Sequence, residues 1–132
     1  MDSLEGKTVL ITGAGRGLGR SHAILLAERG ANIIVHDIKT EGANETADLV
    51  RKKGQKAEVL ITDIRNTDEF VEKILKAGKI DVLVNNAGVG GNGKKIEDVN
   101  VEIFNEMFEV HVRGTFFATQ TIVKQMKKRK EG

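Results

Sequence analysis

The stretch Thr12-Gly13-Ala14-Gly15-Arg16-Gly17-Leu18-Gly19 follows a short apolar run, Thr8 to Ile11, and opens a longer amphipathic one. A turn placed there lets backbone N–H groups, with the positive end of a helix dipole behind them, face a pyrophosphate without Cβ atoms in the way. A glycine-rich turn that binds nothing would have the same composition. Spacing does not decide between the two, because glycines at 13, 17 and 19 do not fit G-x-G-x-x-G: position 18 is Leu and position 20 is Arg. The stretch also approaches a P-loop, with Gly19-Arg20-Ser21 where Gly-Lys-Ser would stand. Ala14 in place of the first Gly, and Arg in place of the Lys, make a nucleotide triphosphatase the runner-up.

Outward from this turn the chain alternates short apolar runs with amphipathic stretches, a β-α-β-α-β-α-β-α reading that calls for a parallel sheet covered by helices. Strands are expected at Thr8 to Ile11, Asn32 to His36, Ala57 to Ile61 and Val82 to Asn85. Their continuously apolar character suits strands buried on both faces. The first helix should run from about Gly17 to Arg29, with Ala23, Leu26 and Ala27 inward and Gly30 as its cap. The second should span Glu41 to Lys53 and stop at Gly54. Asn66 and Glu69 have the offset of a capping box, so a third helix is expected from there to Ala77, burying Phe70, Val71 and Ile74. Phe104, Met107, Phe108, Val112, Ile122, Val123 and Met126 recur near helical spacing and predict one long last helix. Its basic tail, Lys124 to Lys130, could be a nucleic-acid patch, but a solvated end at the favourable pole of the helix dipole is the commoner meaning. The stretch Val89 to Lys94 reads as a loop.

The 132 residues suit one domain, with 39% hydrophobic and 30% charged side chains. A net charge of +2, from 21 basic against 19 acidic residues, makes no electrostatic case for nucleic acid or a membrane surface. No Cys is present, which excludes disulfides, thiolate metal sites and a cysteine nucleophile and leaves the cytoplasm as the default location. No apolar run is long enough to span a bilayer, the N-terminus has no targeting pattern, and the His residues lack ligand-like spacing.

Polar or small residues end all four strands on one rim, where ligands of doubly wound sheets bind. Asp37 stands 18 positions after Gly19, close to where a carboxylate would accept hydrogen bonds from the adenosine ribose hydroxyls. A solvated Asp at a strand end is the plain alternative. The carboxylate favours NAD, since it would repel a 2′-phosphate, whereas the Arg16 guanidinium could pair with that phosphate and admit NADP. Asp63 follows the third strand and Asn85-Asn86-Ala87-Gly88 the fourth. Either could serve only as a helix cap or a turn.

Taken together, Thr-Gly-x-x-x-Gly-x-Gly at 12 to 19, Asp37, Asp63-Ile64 and Asn-Asn-Ala-Gly at 85 to 88 resemble the short-chain dehydrogenase/reductase family over essentially the whole chain. The resemblance implies an α/β fold: a Rossmann-type parallel sheet of four strands, order 3-2-1-4, with helices on both faces. Residues 1–132 would form a single dinucleotide-binding domain. It implies that Gly13, Arg16, Gly17, Leu18 and Gly19 serve the pyrophosphate, and Asp37 and Ile38 the adenosine ribose side. Asp63 and Ile64 would serve the adenine, and Asn86, Ala87 and Gly88 the nicotinamide-side ribose. The cofactor would be NAD, with NADP possible, and the reaction a hydride transfer with a secondary alcohol or ketone.

Two departures stand against the family pattern. An Asn in Asn-x-x-Gly-x-Phe is replaced by His111 in His111-Val112-Arg113-Gly114-Thr115-Phe116, the one candidate catalytic residue; a partly buried helix histidine with no catalytic part is its plainer reading. The His weakly resembles the 3-hydroxyacyl-CoA dehydrogenase modules of multifunctional enzymes. The family's Ser, Tyr and Lys are absent and no Tyr occurs, so the 132 residues are expected to bind cofactor without turnover; a non-catalytic dinucleotide-binding or interaction module is the alternative. In the family a fifth strand flanks the fourth and the last helix packs between subunits, so a homo-oligomer is expected.

Overall fold

Four parallel strands, β1 (Thr8–Ile11), β2 (Asn32–Asp37), β3 (Ala57–Ile61) and β4 (Val82–Val84), form one sheet in the order β3-β2-β1-β4 in the computed structural model, which describes residues 3–132. Val9 is in register with Ile33 on one side and Val82 on the other, and Ile33 with Ala57. The chain steps outward from β1 to β3 and then crosses back to the far side of β1. Strand order therefore reverses between β1 and β4, and loops leaving their C-terminal ends diverge around a crevice.

Alternation along the strands feeds two cores. Val9, Ile11, Ile33 and Val35 face α1 (Gly17–Glu28) and α2 (Thr40–Lys52), which bury Ala23, Ala27, Ala43, Ala47 and Val50. Leu10, Ile34 and Leu60 face the opposite layer, where α3 (Thr67–Lys76) contributes Phe70 and Ile74. Both faces of the sheet are thus covered by helices. Full burial of a side chain such as Phe70 is worth about 1.5–3 kcal/mol, so these small clusters supply much of the drive to fold.

Helix termini agree with the sequence reading to within a residue or two, while several packing details differ. β1 and β2 are buried on both faces, but Glu58 of β3 is exposed and all of β4 is half-buried, because these two strands lie at the sheet's edges. Leu26 and Val71 are half-buried rather than core. The reciprocal capping box does not form: the Asn66 amide donates to the Glu69 carboxylate at 2.9 Å and makes no bond to the helix backbone.

The largest difference is the last helix, which is two helices joined by a π-helical segment. α4 (Val101–Phe108) starts at Asn100, whose side chain accepts the Ile103 N–H at 2.9 Å. Glu109–Gly114 then winds with the wider π spacing before α5 (Thr115–Arg129) resumes. The extra residue in the turn shifts the helix phase. Of the apolar residues at helical spacing, Ile122 is buried, while Phe104, Phe108, Val112 and Val123 are 53%, 53%, 56% and 40% exposed; Val110, Gly114, Ala118 and Thr121 complete the buried face. Gly114 is needed at the bulge, since a Cβ there would lie 2.5 Å from Cγ1 of the buried Ile64. Lys127, Lys128 and Arg129 occupy the last turn of α5, as the dipole favours. No helix among the described residues is long and apolar enough to cross a membrane.

Asp81 ties the base of β4 to β1. Its buried carboxylate accepts the Thr8 N–H at 2.9 Å across 73 residues of sequence, while its own N–H donates to the Thr8 carbonyl at 2.8 Å. Asp81→Ala would strand the Thr8 N–H and should lower unfolding free energy by about 1.5–3 kcal/mol in urea titration. Asp81→Asn, which keeps an acceptor, should lose less.

Candidate functional site

The crevice at the strand-order reversal is a cleft of about 400 Å³. It is lined by Gly13, Arg16, Gly17 and Leu18 after β1, Asp37 and Ile38 from the end of β2, Asp63 and Ile64 after β3, and Asn86, Ala87 and Gly88 after β4. The rim inferred from the sequence is therefore one continuous surface, with two exceptions. Gly19 is buried beneath the first loop, and His111 stands behind Gly88.

Hydrogen bonds join the first and fourth loops. The Asn86 amide donates to the carbonyls of Thr12 and Gly13, both at 3.0 Å, and Thr12 Oγ1 accepts the N–H groups of Asn86 and Ala87, also at 3.0 Å. The contact is close enough that two glycines are obligatory. Gly13, at φ +64°, would place a Cβ 2.8 Å from Ala87 Cα, and a Cβ on Gly19 would run into the Gly13 carbonyl oxygen and lie 2.6 Å from Asn86 Nδ2. Gly19 thus serves the cleft indirectly by letting α1 start directly under the turn.

Asp37 is fixed rather than free. Its Oδ2 accepts the Gly15 N–H at 2.9 Å and its Oδ1 the Lys39 N–H at 3.0 Å, so the strand-end carboxylate is anchored to the glycine turn. An ionised carboxylate has about four acceptor positions, which leaves capacity for hydroxyl donors from the cleft. Asp63 is held by Arg65, and the guanidinium beside it keeps its carboxyl below the usual Asp range. Arg65 continues to Glu106 of α4 at 3.1 Å.

Arg20, standing where a P-loop would have its lysine, faces away from the cleft. Its guanidinium reaches the Gly15 carbonyl at 2.6 Å, Glu45 at 2.7 Å and Thr46 Oγ1 at 2.9 Å. It braces the back of the turn against α2, which removes the residue that a triphosphatase reading requires.

His111 lies on the π segment and is exposed, a correction to the expectation of partial burial. Its Nε2 stands 3.0 Å from the Val89 nitrogen and 2.8 Å from the Val89 oxygen. One ring nitrogen serves one of these at a time, accepting when unprotonated and donating when protonated. The Cε1 edge fills the space a Cβ on Gly88 would need, at 2.6 Å.

Sequence reasoning passed over His36 and the side chain of Thr12. His36 is 2% exposed, and its ring joins two loops: Nδ1 accepts the Gly13 N–H at 3.4 Å and Nε2 donates to the Thr62 carbonyl at 3.1 Å. A histidine inside an otherwise apolar strand was the available signal. Burial pushes its pKa down to about 4, against the raising effect of the Thr62 carbonyl and of Asp37 and Asp63. The neutral ring is the form the fold accepts, so His36 adds stability above pH 6.5 that is lost as pH falls toward 4. Unfolding measured across that window should show a loss of about 3 kcal/mol that His36→Asn flattens.

Comparison with known proteins places this geometry. The family model described as short chain dehydrogenase matches residues 7–132. An uncharacterised oxidoreductase of Thermotoga maritima is 39% identical over 132 residues, covering 98% of this chain and 52% of that protein. The 7alpha-hydroxysteroid dehydrogenase of Escherichia coli is 37% identical over 129 residues, covering 95% and 50%. The crystal structure of NAD+-bound xylitol dehydrogenase superposes with a TM-score of 0.92 at 30% identity, over 98% of this chain and 51% of that one. The chain spans about half the length of the curated relatives it matches. By a family match over nearly its whole length and by superposition on a dehydrogenase of 30% identity, this chain belongs to the short-chain dehydrogenase family.

Proposed function

We propose that these residues form the cofactor-binding half of a nicotinamide-dinucleotide-dependent oxidoreductase acting on a secondary alcohol or ketone, with NAD preferred to NADP. The observation that carries this reading is that the start of α1 and the Asp37 carboxylate open on one cleft. Arg16 precedes α1 and makes no side-chain cap, which leaves first-turn N–H groups for an anion. A Cβ at Gly17 would meet nothing within 4 Å, so the turn is open on the ligand side. Xylitol dehydrogenase, of the same fold, is a NAD+ complex.

A bound nicotinamide would supply the hydride acceptor or donor. The chain's part is to hold and orient it: Gly13, Arg16, Gly17 and Leu18 at the pyrophosphate, Asp37 and Ile38 at the adenosine ribose, Asp63 and Ile64 at the adenine, and Asn86, Ala87 and Gly88 at the second ribose. His111, through Val89 and Gly88, supports the last of these loops. Calorimetric titration with NAD and NADP tests the reading. Each ribose hydrogen bond to a carboxylate is worth about 1.5–3 kcal/mol, so NAD should bind at least about tenfold tighter, and Asp37→Ala should narrow the gap. Equal or tighter NADP binding would show that Arg16 prevails.

We further propose self-association through α4 and α5. Phe104, Phe108, Val112 and Phe116 repeat every four residues and are each more than half exposed, an apolar stripe that a second copy of the same helix pair would cover. Light scattering should report a dimer or larger species, and Phe108→Glu with Phe116→Glu should shift it to monomer.

A further inference from the structure

We propose that Arg51 and Lys73 close the outer edge of β3 to strand pairing: each sets a cation on one of the carbonyls that this edge would offer to the same edge of a second copy. The edge lies at the opposite end of the sheet from β4, and the proposal is independent of the dinucleotide reading.

β3 is bonded to a neighbour on one side only. Ile33 donates its N–H to the Lys56 carbonyl at 3.0 Å and Thr62 donates to the Asp37 carbonyl at 3.3 Å, with Ile33 in register with Ala57 and Asp37 with Ile61. Alternate residues of a strand present both backbone groups to the same side. Lys56, Glu58, Leu60 and Thr62 therefore serve the ladder with β2, and the N–H and C=O groups of Ala57, Val59 and Ile61 point away from the sheet.

Left bare, this edge would suit self-pairing. Residues 57–61 combine branched apolar side chains with a single charge and no Pro, the composition that favours edge-to-edge contact. Two copies can meet antiparallel about Val59, which matches Ala57 with Ile61 and Val59 with Val59, each match exchanging two N–H···O bonds. Glu58 then stands opposite Leu60, so no like-charge contact opposes the approach.

The opposition comes from the two cations. From α2, on one face, Arg51 Nη2 donates to the Ala57 carbonyl at 2.8 Å while Nη1 donates to Asp48 at 2.9 Å. From α3, on the other face, Lys73 Nζ donates to the Ile61 carbonyl at 2.5 Å and pairs with Glu69 at 2.7 Å. Each cation is held over the edge by an acid of its own helix, and the two helices guard the two ends of the strand. Every bond to the Ala57 and Ile61 carbonyls is blocked in both copies, which leaves only the central exchange at Val59. A partner would also have to displace two solvated charges. The Arg51 and Lys73 side chains are 50% and 40% exposed, so their removal should change unfolding free energy little.

Thioflavin T fluorescence and the infrared band of intermolecular β-sheet, followed under native conditions at matched concentrations, report strand pairing and not association through helices. Arg51→Ala with Lys73→Ala should show concentration-dependent growth of both signals, severalfold faster than the wild type. Each single Ala variant frees one carbonyl and should fall between, which provides the test if the double variant does not fold. Arg51→Lys with Lys73→Arg keeps a cationic donor at each end and should behave as the wild type. Val59→Pro, added to the double Ala variant, removes only an outward N–H at the centre of the pairing and should suppress the growth. Urea titration of every variant gives its stability alongside. Growth no faster than the wild type in the Ala variants, growth that survives Val59→Pro in folded protein, or growth that tracks lost stability instead of the lost cation overturns the proposal.

Discussion

Thr12 and Asn86 hold the two sides of the cleft in one hydrogen-bonded unit, and the remaining loops are placed relative to it. The Thr12 hydroxyl is 1% exposed and uses its full capacity, accepting two N–H groups from the fourth loop and donating to the Val84 carbonyl at 3.4 Å. Asn86 returns both amide hydrogens to the first loop. Because β1 and β4 are neighbours only through the strand-order reversal, this joint exists only once the crossover has been made. It also sets the tight contact that Gly13 and Gly19 relieve, so the glycines and the polar pair form a single packing solution.

The β2 side is tied to the same turn by successive residues that point in opposite directions. His36 turns under the sheet layer, beside Phe70 at a ring separation of 4.9 Å, and supports Gly13 and Thr62 from below. Asp37 turns upward and holds Gly15 from above. Strand alternation therefore puts a neutral brace and a charged cleft-facing group in adjacent positions. The charged members of the rim are ordered by pairing instead of burial: Asp63 with Arg65, and Arg65 with Glu106. These pairs are partly exposed, so their effect on stability is modest and their main consequence is orientation.

The π segment links this rim to the outer surface. It turns Gly114 against Ile64 and Val110 into the core, which places α4 beside the third loop and His111 behind the fourth. The same phase shift leaves the Phe104 to Phe116 stripe facing outward. One inserted residue in the winding thus decides both which groups reach the cleft and which apolar surface faces outward.

The sequence by itself determined the order and type of the elements, because apolar runs of strand length and the helix-ending glycines Gly30 and Gly54 are local signals. It also located the cleft, since the residues at all four strand ends, Gly13, Asp37, Asp63 and Asn86, are legible wherever a parallel sheet forces strand C-termini onto one edge. The tertiary structure decided which side chains share a hydrogen bond. Thr12 meets Asn86 across 74 residues, Thr8 meets Asp81 across 73, and Arg65 meets Glu106 across 41, pairings that no local pattern encodes. Helix phase was decided there too: Phe104, Phe108 and Val112 recur at helical spacing, but across a π turn in which Gly114 lies against Ile64 they are left facing outward. Periodicity records the apolar face of a helix, and only packing against the rest of the chain says whether that face looks inward.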